Sequence, residues 1–180
     1  GYSKQLEKFL EIEKDFTKPL LKGDDVHRYD IIETNKVVIF PYKLDKGNAT
    51  LYTEEEIRNQ FPKAYLYLKE CEDVLRGREK GRFNIDGEWY QFGRKQGINF
   101  AEKEKLVAPE ISHGGNFSYD EIGEFYSTTK IYGYIKKNEV PESYLFWLGL
   151  LNSQLFWFFI QQTGYVLRGG YYTFKTNYVA

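Results

Sequence analysis

The chain has 180 residues, of which 42% are hydrophobic and 18% aromatic, and this is enough for one substantial core or at most two small ones. Its formal net charge of −1 argues against a protein that coats nucleic acid nonspecifically, because such binding depends on an overall positive potential, although a localised basic face remains open. The single cysteine, Cys71, excludes an intrachain disulfide, and with no signal peptide in the charged N-terminal sequence it indicates a cytoplasmic location.

The first part of the chain is predicted to contain one helix and one hairpin. Apolar residues at helical spacing over residues 3–15 predict a helix, which Pro19 would end. Residues 28–32 and 36–42 are rich in β-branched and aromatic residues, and they predict two strands of a hairpin.

A turn and two helices are predicted next. The composition of residues 45–48 is typical of a turn, and Thr53 with Glu56 forms a capping box that predicts the start of a short helix. A longer amphipathic helix is predicted over residues 61–75, and Gly77 is expected to stop it.

The middle of the chain is predicted to be mostly loop and short strands. Residues 77–97 are polar, basic and rich in glycine, which predicts a long loop with short extended pieces. Several short strands follow, and we expect the last two to pair with each other. These predicted strands cover residues 106–108, 116–119, 124–126 and 131–135.

Residues 144–160 form the most apolar segment. The segment falls short of the roughly 20 residues that span a bilayer, and polar residues from Asn152 to Gln154 lie at its middle. It therefore predicts one buried helix, or two helices that meet at Asn152 and Ser153, and not a membrane span. Alternation over residues 171–175 predicts a final strand.

Basic residues concentrate in the middle and at the C-terminus. Residues 76–105 contain eight basic and five acidic residues, and residues 164–180 contain Arg168 and Lys175 but no acid. Beside Arg168, Gly169 and Gly170 would let backbone amides approach a phosphate closely while the guanidinium reaches into a groove. This combination suits a polyanionic ligand.

Residue patterns typical of catalysis are missing from the sequence. There is no glycine-rich phosphate loop and no nucleophile elbow, and His27, His113 and Cys71 are too scattered to suggest a zinc site. The acids at 24–25 and 54–56 could in principle hold a metal for nuclease chemistry, but acids in turns and first helical turns are usually solvated or capping. We therefore predict neither a catalytic residue nor a metal site.

Seven segments, taken in order, resemble the TaqI-like C-terminal specificity domain, the target-recognition part of adenine-specific DNA methyltransferases and of fused restriction-modification enzymes. The resemblance starts near Lys18 and runs to the C-terminus. It leaves residues 1–17 as a linker or N-terminal helix from an upstream domain and makes 18–180 the DNA target recognition domain. The segments are residues 18–29, 39–42, 61–69, 89–94, 105–109, 150–153 and 167–175.

The resemblance implies a DNA-reading module without chemistry of its own. Its partners would be double-stranded DNA and an N-terminal methyltransferase domain of the same parent chain, with or without a fused endonuclease. S-adenosylmethionine would bind in that missing domain, because residues 39–42 lack the asparagine and second proline of the Asn-Pro-Pro-Tyr catalytic motif. A chain that starts at Gly1 and has no methionine also fits a piece of a longer protein. The expected fold is α+β, with a curved, mainly antiparallel β-sheet and flanking helices.

We expect the DNA-contacting residues to come from separate loops that converge on one footprint. Two plainer interpretations stay open: the glycine pair could form only a hairpin turn, and Arg94 could be a buried partner of an acid such as Asp120. The tryptophans are expected to pack in the core. The candidates are Arg168, Gly169, Gly170, Tyr171 and Lys175 in one loop, Arg94 and Lys95 in a second, and Arg28 and Arg78 as weaker members.

A protein-interaction or assembly module is the main alternative. In that interpretation the apolar helix 144–160 docks against another subunit, and the Arg-Gly-Gly loop is only a turn. A large exposed apolar patch on the helix would favour this function. A fragment of a metal-dependent nuclease is a third possibility, and it predicts acids clustered with a lysine in one cleft.

Overall fold

A computed structural model describes residues 1–45, 47–95, 97–175 and 179, and within these it confirms an α+β fold made of five α-helices and several small sheets. The strands are β1 (Tyr2–Ser3), β2 (Lys8–Phe9), β3 (Thr17–Leu21), β4 (Val37–Ile39), β5 (Tyr42–Asp45), β6 (Asn48–Leu51), β7 (Lys105–Pro109), β8 (Ile111–Ser112), β9 (Ser118–Asp120), β10 (Tyr126–Ser127), β11 (Ile131–Tyr134) and β12 (Tyr172–Thr173). The α-helices are α1 (Glu54–Gln60), α2 (Pro62–Glu70), α3 (Glu72–Gly81), α4 (Tyr144–Leu151) and α5 (Gln154–Thr163).

The chain divides into two compact units. Unit 1 consists of residues 1–18 and 38–100, and unit 2 of residues 19–37 and 101–180. Unit 1 has one buried apolar cluster, and unit 2 has two, the smaller of which consists of Leu21, Val26, Ile32, Val107 and Ile131.

Unit 1 packs three helices around an aromatic core. Thr53 and Glu56 form the predicted capping box at the start of α1, and Pro62 opens α2. The predicted helix 61–75 is broken at Cys71, where φ is −98° and ψ is 2°, and it resumes as α3. The core consists of Phe16, Ile57, Ala64, Leu68, Trp89 and Tyr90.

The helix predicted over residues 3–15 is wrong. Residues Tyr2 and Ser3 instead pair with Lys8 and Phe9 in a small antiparallel hairpin, and Glu7 adopts a positive φ of 51° in its turn. A helix of this length is marginal in water unless its apolar face is buried, and Phe9 is 82% exposed. Long-range contacts hold the end of this segment, where the Glu13 carboxylate accepts from the N–H groups of Lys63 and Ala64 at 2.9 Å.

The hairpin predicted over 28–32 and 36–42 is also wrong. Residues 28–30 form a turn in which Tyr29 has a φ of +66°. Side chains from a distant segment hold the backbone here, because the N–H of Arg28 donates to Oδ1 of Asn116 at 2.7 Å. The hairpin lies later, between β5 and β6, across the predicted turn at 45–48.

The sheet of unit 2 is built around β7. This strand is buried along its whole length and pairs antiparallel with β11 on one side and β9 on the other. The prediction that residues 124–126 and 131–135 pair is therefore wrong: β10 instead pairs in parallel with β3. The backbone N–H and C=O groups of a strand buried on both faces need hydrogen-bonding partners at both edges, and β11 and β9 supply them for β7.

The apolar segment forms two helices, which confirms the second alternative for residues 144–160. Ser143 caps α4 and Ser153 caps α5, each hydroxyl accepting from a backbone N–H in the first turn. Neither helix, nor any other in the described residues, has the length and apolarity needed to cross a membrane. The unit 2 core consists of Leu106, Ala108, Phe117, Tyr144, Leu151, Ile160 and Phe174.

Candidate functional site

The glycine pair lies at the tip of a narrow hairpin, residues 165–173, which we call the Arg168 hairpin. Val166 bridges to Tyr172, and the N–H of Leu167 donates to the carbonyl of Tyr171 at 2.6 Å. Gly169 and Gly170 have φ values of +81° and +79°, which L-residues with a Cβ rarely adopt. The glycine pair therefore forms a hairpin turn, and its contact with DNA stays a prediction.

That turn also presents the guanidinium of Arg168 to solvent. The side chains of Arg168 and Tyr171 are exposed. Within the described part of the chain, no acid pairs with Arg168. Its charge is thus available to a ligand outside the protein.

Lys175 has an acidic neighbour from a distant part of the chain. Its Nζ lies 3.5 Å from Oε1 of Glu110, a residue 65 positions earlier in the chain. The C-terminal sequence contains no acid near Lys175, but the pairing of β12 with β8 brings Glu110 alongside it. Glu110 partly offsets the positive charge of Lys175, but the Lys175 side chain is about half exposed and stays accessible to a ligand.

His113 is a member of this cluster that sequence reasoning missed. The register of β12 on β8 pairs Tyr172 with Ser112, so His113 follows directly beside Tyr171. The two rings are edge-to-face with centroids 5.6 Å apart, and the His113 ring lies 5.7 Å from that of Trp157. A strand at 111–112 was not predicted, so nothing in the sequence joined His113 to the Arg168 hairpin.

Arg28 is exposed in unit 2, on a loop held by the segment that follows His113. The Asn116 side chain accepts from the N–H of Arg28 at 2.7 Å and donates to the carbonyl of Val26 at 3.0 Å. The hydroxyl of Ser118 donates to the carbonyl of His27 at 2.7 Å. Asn116 and Ser118, which follow His113 in the chain, therefore hold the backbone of residues 26–28 in place.

Arg94 and Lys95 belong to unit 1. Both are exposed, and the Lys95 ammonium lies 5.8 Å from the centroid of the Tyr42 ring. Exposure of Arg94 is contrary to the interpretation of a buried ion pair, and Asp120 pairs instead with Lys105 at 2.5 Å in the interior of unit 2. Convergence of this loop with the Arg168 hairpin stays a prediction.

Arg78 is partly buried in unit 1 and is bound to its backbone. Its guanidinium donates to the carbonyls of Leu75, Trp89 and Gln91 at 2.8 to 2.9 Å. It also lies over the Phe83 ring, 4.6 Å from the centroid, and burial lowers the pKa of Arg78. We correct its assignment: these donors hold a loop together, so they are not free to bind DNA.

Three of the five acids considered for a nuclease site have structural partners. Asp25 pairs with Lys36, Glu54 accepts from the indole N–H of Trp89 at 2.9 Å, and Glu56 pairs with Lys43 at 2.5 Å. Within the described residues no three His, Cys, Asp or Glu side chains come together as a metal-ligand set. Trp89 is buried, as expected of a packing residue.

Comparison with known proteins gives a consistent picture. The chain is similar to the Type II restriction enzyme and methyltransferase RM.Eco57I of Escherichia coli, with 28% identity over 170 residues. The alignment covers 88% of this chain and 17% of that protein, so the chain spans about a sixth of its relative's length. Residues 18–180 match the family described as the TaqI-like C-terminal specificity domain. This chain is a member of that family.

Proposed function

We propose that this chain reads a short double-stranded DNA site on behalf of an adenine-specific methyltransferase of a restriction-modification system, and that it makes and breaks no bonds itself. The observation that carries the proposal is the Arg168 hairpin, which presents an exposed guanidinium beside two glycines, with no acidic partner among the residues that the structure describes. Membership in a specificity-domain family supports it.

The hairpin fits the two kinds of contact that a DNA reader needs. Phosphate contacts place the protein on the duplex, and contacts to base edges discriminate between sequences. An arginine can donate two parallel hydrogen bonds to guanine in the major groove, whereas bare glycine backbone can approach a phosphate. Lys175 and Arg28 are proposed to contact phosphates, as are Arg94 and Lys95 of unit 1.

The remaining steps of the reaction are proposed to lie in the parent protein. S-adenosylmethionine would bind in a methyltransferase domain upstream of these residues, in a cytoplasmic enzyme that could also cleave DNA. With the duplex held by the specificity domain, the target adenine would swing out of the helix into that domain's pocket.

Selection from a random duplex pool tests the proposal. The chain is incubated with the pool, bound duplexes are recovered and sequenced, and affinities for the enriched duplex are measured by fluorescence anisotropy at two salt concentrations. We expect a defined sequence to be enriched, and Arg168→Ala to relax the preference at one base pair by about 1–3 kcal/mol. Lys175→Ala should instead weaken all sequences alike and reduce the salt slope by about 0.9.

Arg58→Ala is the matched control, because it removes the same charge from an exposed position on α1. Three acids in the first turn of that helix make it a poor surface for DNA. Recovered duplexes that match the input pool would contradict the proposal, as would an Arg58→Ala defect equal to that of Arg168→Ala.

An exposed apolar face favours a second role in assembly. Leu155, Phe158 and Phe159 are 70%, 60% and 51% exposed and lie on one side of α5. Leu145 and Phe146 on α4 are 64% and 53% exposed. Apolar side chains concentrated in this way mark interaction surfaces, and we propose that another domain of the parent chain covers them.

A further inference from the structure

We infer that His113 is a base-reading residue, a specificity determinant that acts beside Arg168. The inference rests on the proposed function and deepens it. It starts from the backbone: β8 delivers His113 to the edge of the Arg168 hairpin, next to Tyr171 and below the glycine turn. A Cβ placed on Gly170 would lie 3.4 Å from Nε2 of His113, so the imidazole and the turn are in close contact.

The backbone after His113 is locked in place. Gly114 has a φ of +120°, which residues with a Cβ rarely adopt, and a Cβ on Gly115 would lie 2.2 Å from the carbonyl oxygen of Leu151. Two residues further, the backbone of Phe117 is bound on both sides by the buried amide of Asn152. The junction of α4 and α5 therefore fixes the backbone that follows His113.

The imidazole orientation is fixed as well, while its polar atoms are unused. Tyr171 contacts the ring edge-to-face at an interplanar angle of 81°, and Trp157 contacts it at 44°. The side chain is nevertheless exposed. Neither ring nitrogen forms a hydrogen bond with any group in residues 1–45, 47–95 or 97–175.

These properties suit a base edge better than a phosphate. Phosphate contacts tolerate flexible side chains, whereas discrimination between bases requires donors and acceptors held at a fixed place and angle. A neutral imidazole offers one donor and one acceptor. Each base pair shows its own arrangement of both kinds of group in the major groove, so a clamped imidazole can distinguish between them.

Substitutions that separate the ring from its nitrogens test the inference. His113→Phe keeps an aromatic ring against Tyr171 and Trp157 but removes both polar atoms, and His113→Ala removes the ring too. Each variant is titrated by fluorescence anisotropy against the duplex enriched by the wild-type chain and against every single base-pair change of that duplex. His113→Phe should lose about 3- to 10-fold in affinity for the preferred duplex and flatten the preference at one base pair. Its melting temperature should stay at the wild-type value.

Three outcomes overturn the inference, each in a distinguishable way. If the wild-type chain enriches no sequence, the proposed function fails and His113 has nothing to read. If the wild type enriches a sequence and His113→Phe retains its full preference, His113 only packs against the hairpin. If His113→Phe weakens all duplexes equally, the contact is not to a base.

Discussion

Asn152 joins the core of unit 2 to the loop that carries His113. Replacing it with alanine should lower the stability of the core and loosen the backbone of that loop. Its amide oxygen accepts from the N–H of Phe117 at 2.8 Å, and its amide nitrogen donates to the carbonyl of Phe117 at 2.9 Å. Both residues are buried, at 3% and 0% exposure. Asn152→Ala leaves two buried backbone groups without partners.

The expected loss follows from these two groups. A buried polar group left unsatisfied costs about 1–3 kcal/mol, and partial entry of water would recover some of the sum. We therefore expect Asn152→Ala to lower the free energy of unfolding by about 2–4 kcal/mol, a large fraction of the roughly 5–15 kcal/mol typical of a folded domain. Asn152→Asp should be no better, because an ionised carboxylate cannot donate to the Phe117 carbonyl and adds a buried charge.

Urea unfolding followed by circular dichroism measures this loss, and hydrogen exchange at the Phe117 amide locates it. Asn138→Ala is the control, since Asn138 is exposed and its substitution should change the free energy by less than about 0.5 kcal/mol. Equal unfolding curves for the two variants, or unchanged exchange at Phe117, would refute the assignment of Asn152 as the support of this loop.

Two further predictions concern the interior and the surface of unit 2. Asp120→Ala should lower the free energy of unfolding by about 3–5 kcal/mol, because it leaves the buried Lys105 ammonium without its acidic partner. In urea unfolding, adding Lys105→Met should recover part of this loss. A double variant less stable than Asp120→Ala would contradict this. The exposed face of α5 should cause weak self-association of the isolated chain in sedimentation velocity, which Phe158→Glu should abolish. Ile122→Glu, at another exposed apolar position of unit 2, should leave the association intact, and an equal effect of both variants would contradict a specific apolar face.

Features encoded by neighbouring residues were predicted well. The structure contains the capping box of Thr53 and Glu56, the pairing of Asp45 with Asn48 in a hairpin, and the helix junction at Asn152 and Ser153 that was one of two alternatives. Each depends on side chains within a few residues of the backbone groups that they satisfy, so the local pattern is sufficient.

Features that depend on distant partners were predicted poorly. The segments 3–15 and 28–32 carry plausible local patterns, yet contacts with remote residues give them other conformations. The sequence predicts that β11 pairs with the preceding strand, β10, but β11 pairs with β7. The burial of β7 on both faces, which its neighbouring residues alone do not reveal, accounts for this pairing.

The candidate site divides in the same way. Composition was enough to identify Arg168 with its glycine pair as a cationic, close-approach loop, and ordered segments along the chain were enough to indicate the family. The partners of that loop required the folded chain: β8 brings His113 and Glu110 to it, and the Asn152 amide fixes a loop 35 residues away in sequence. Conformational preferences act over a few neighbouring residues, whereas strand register and buried hydrogen bonds are set by how the whole core packs.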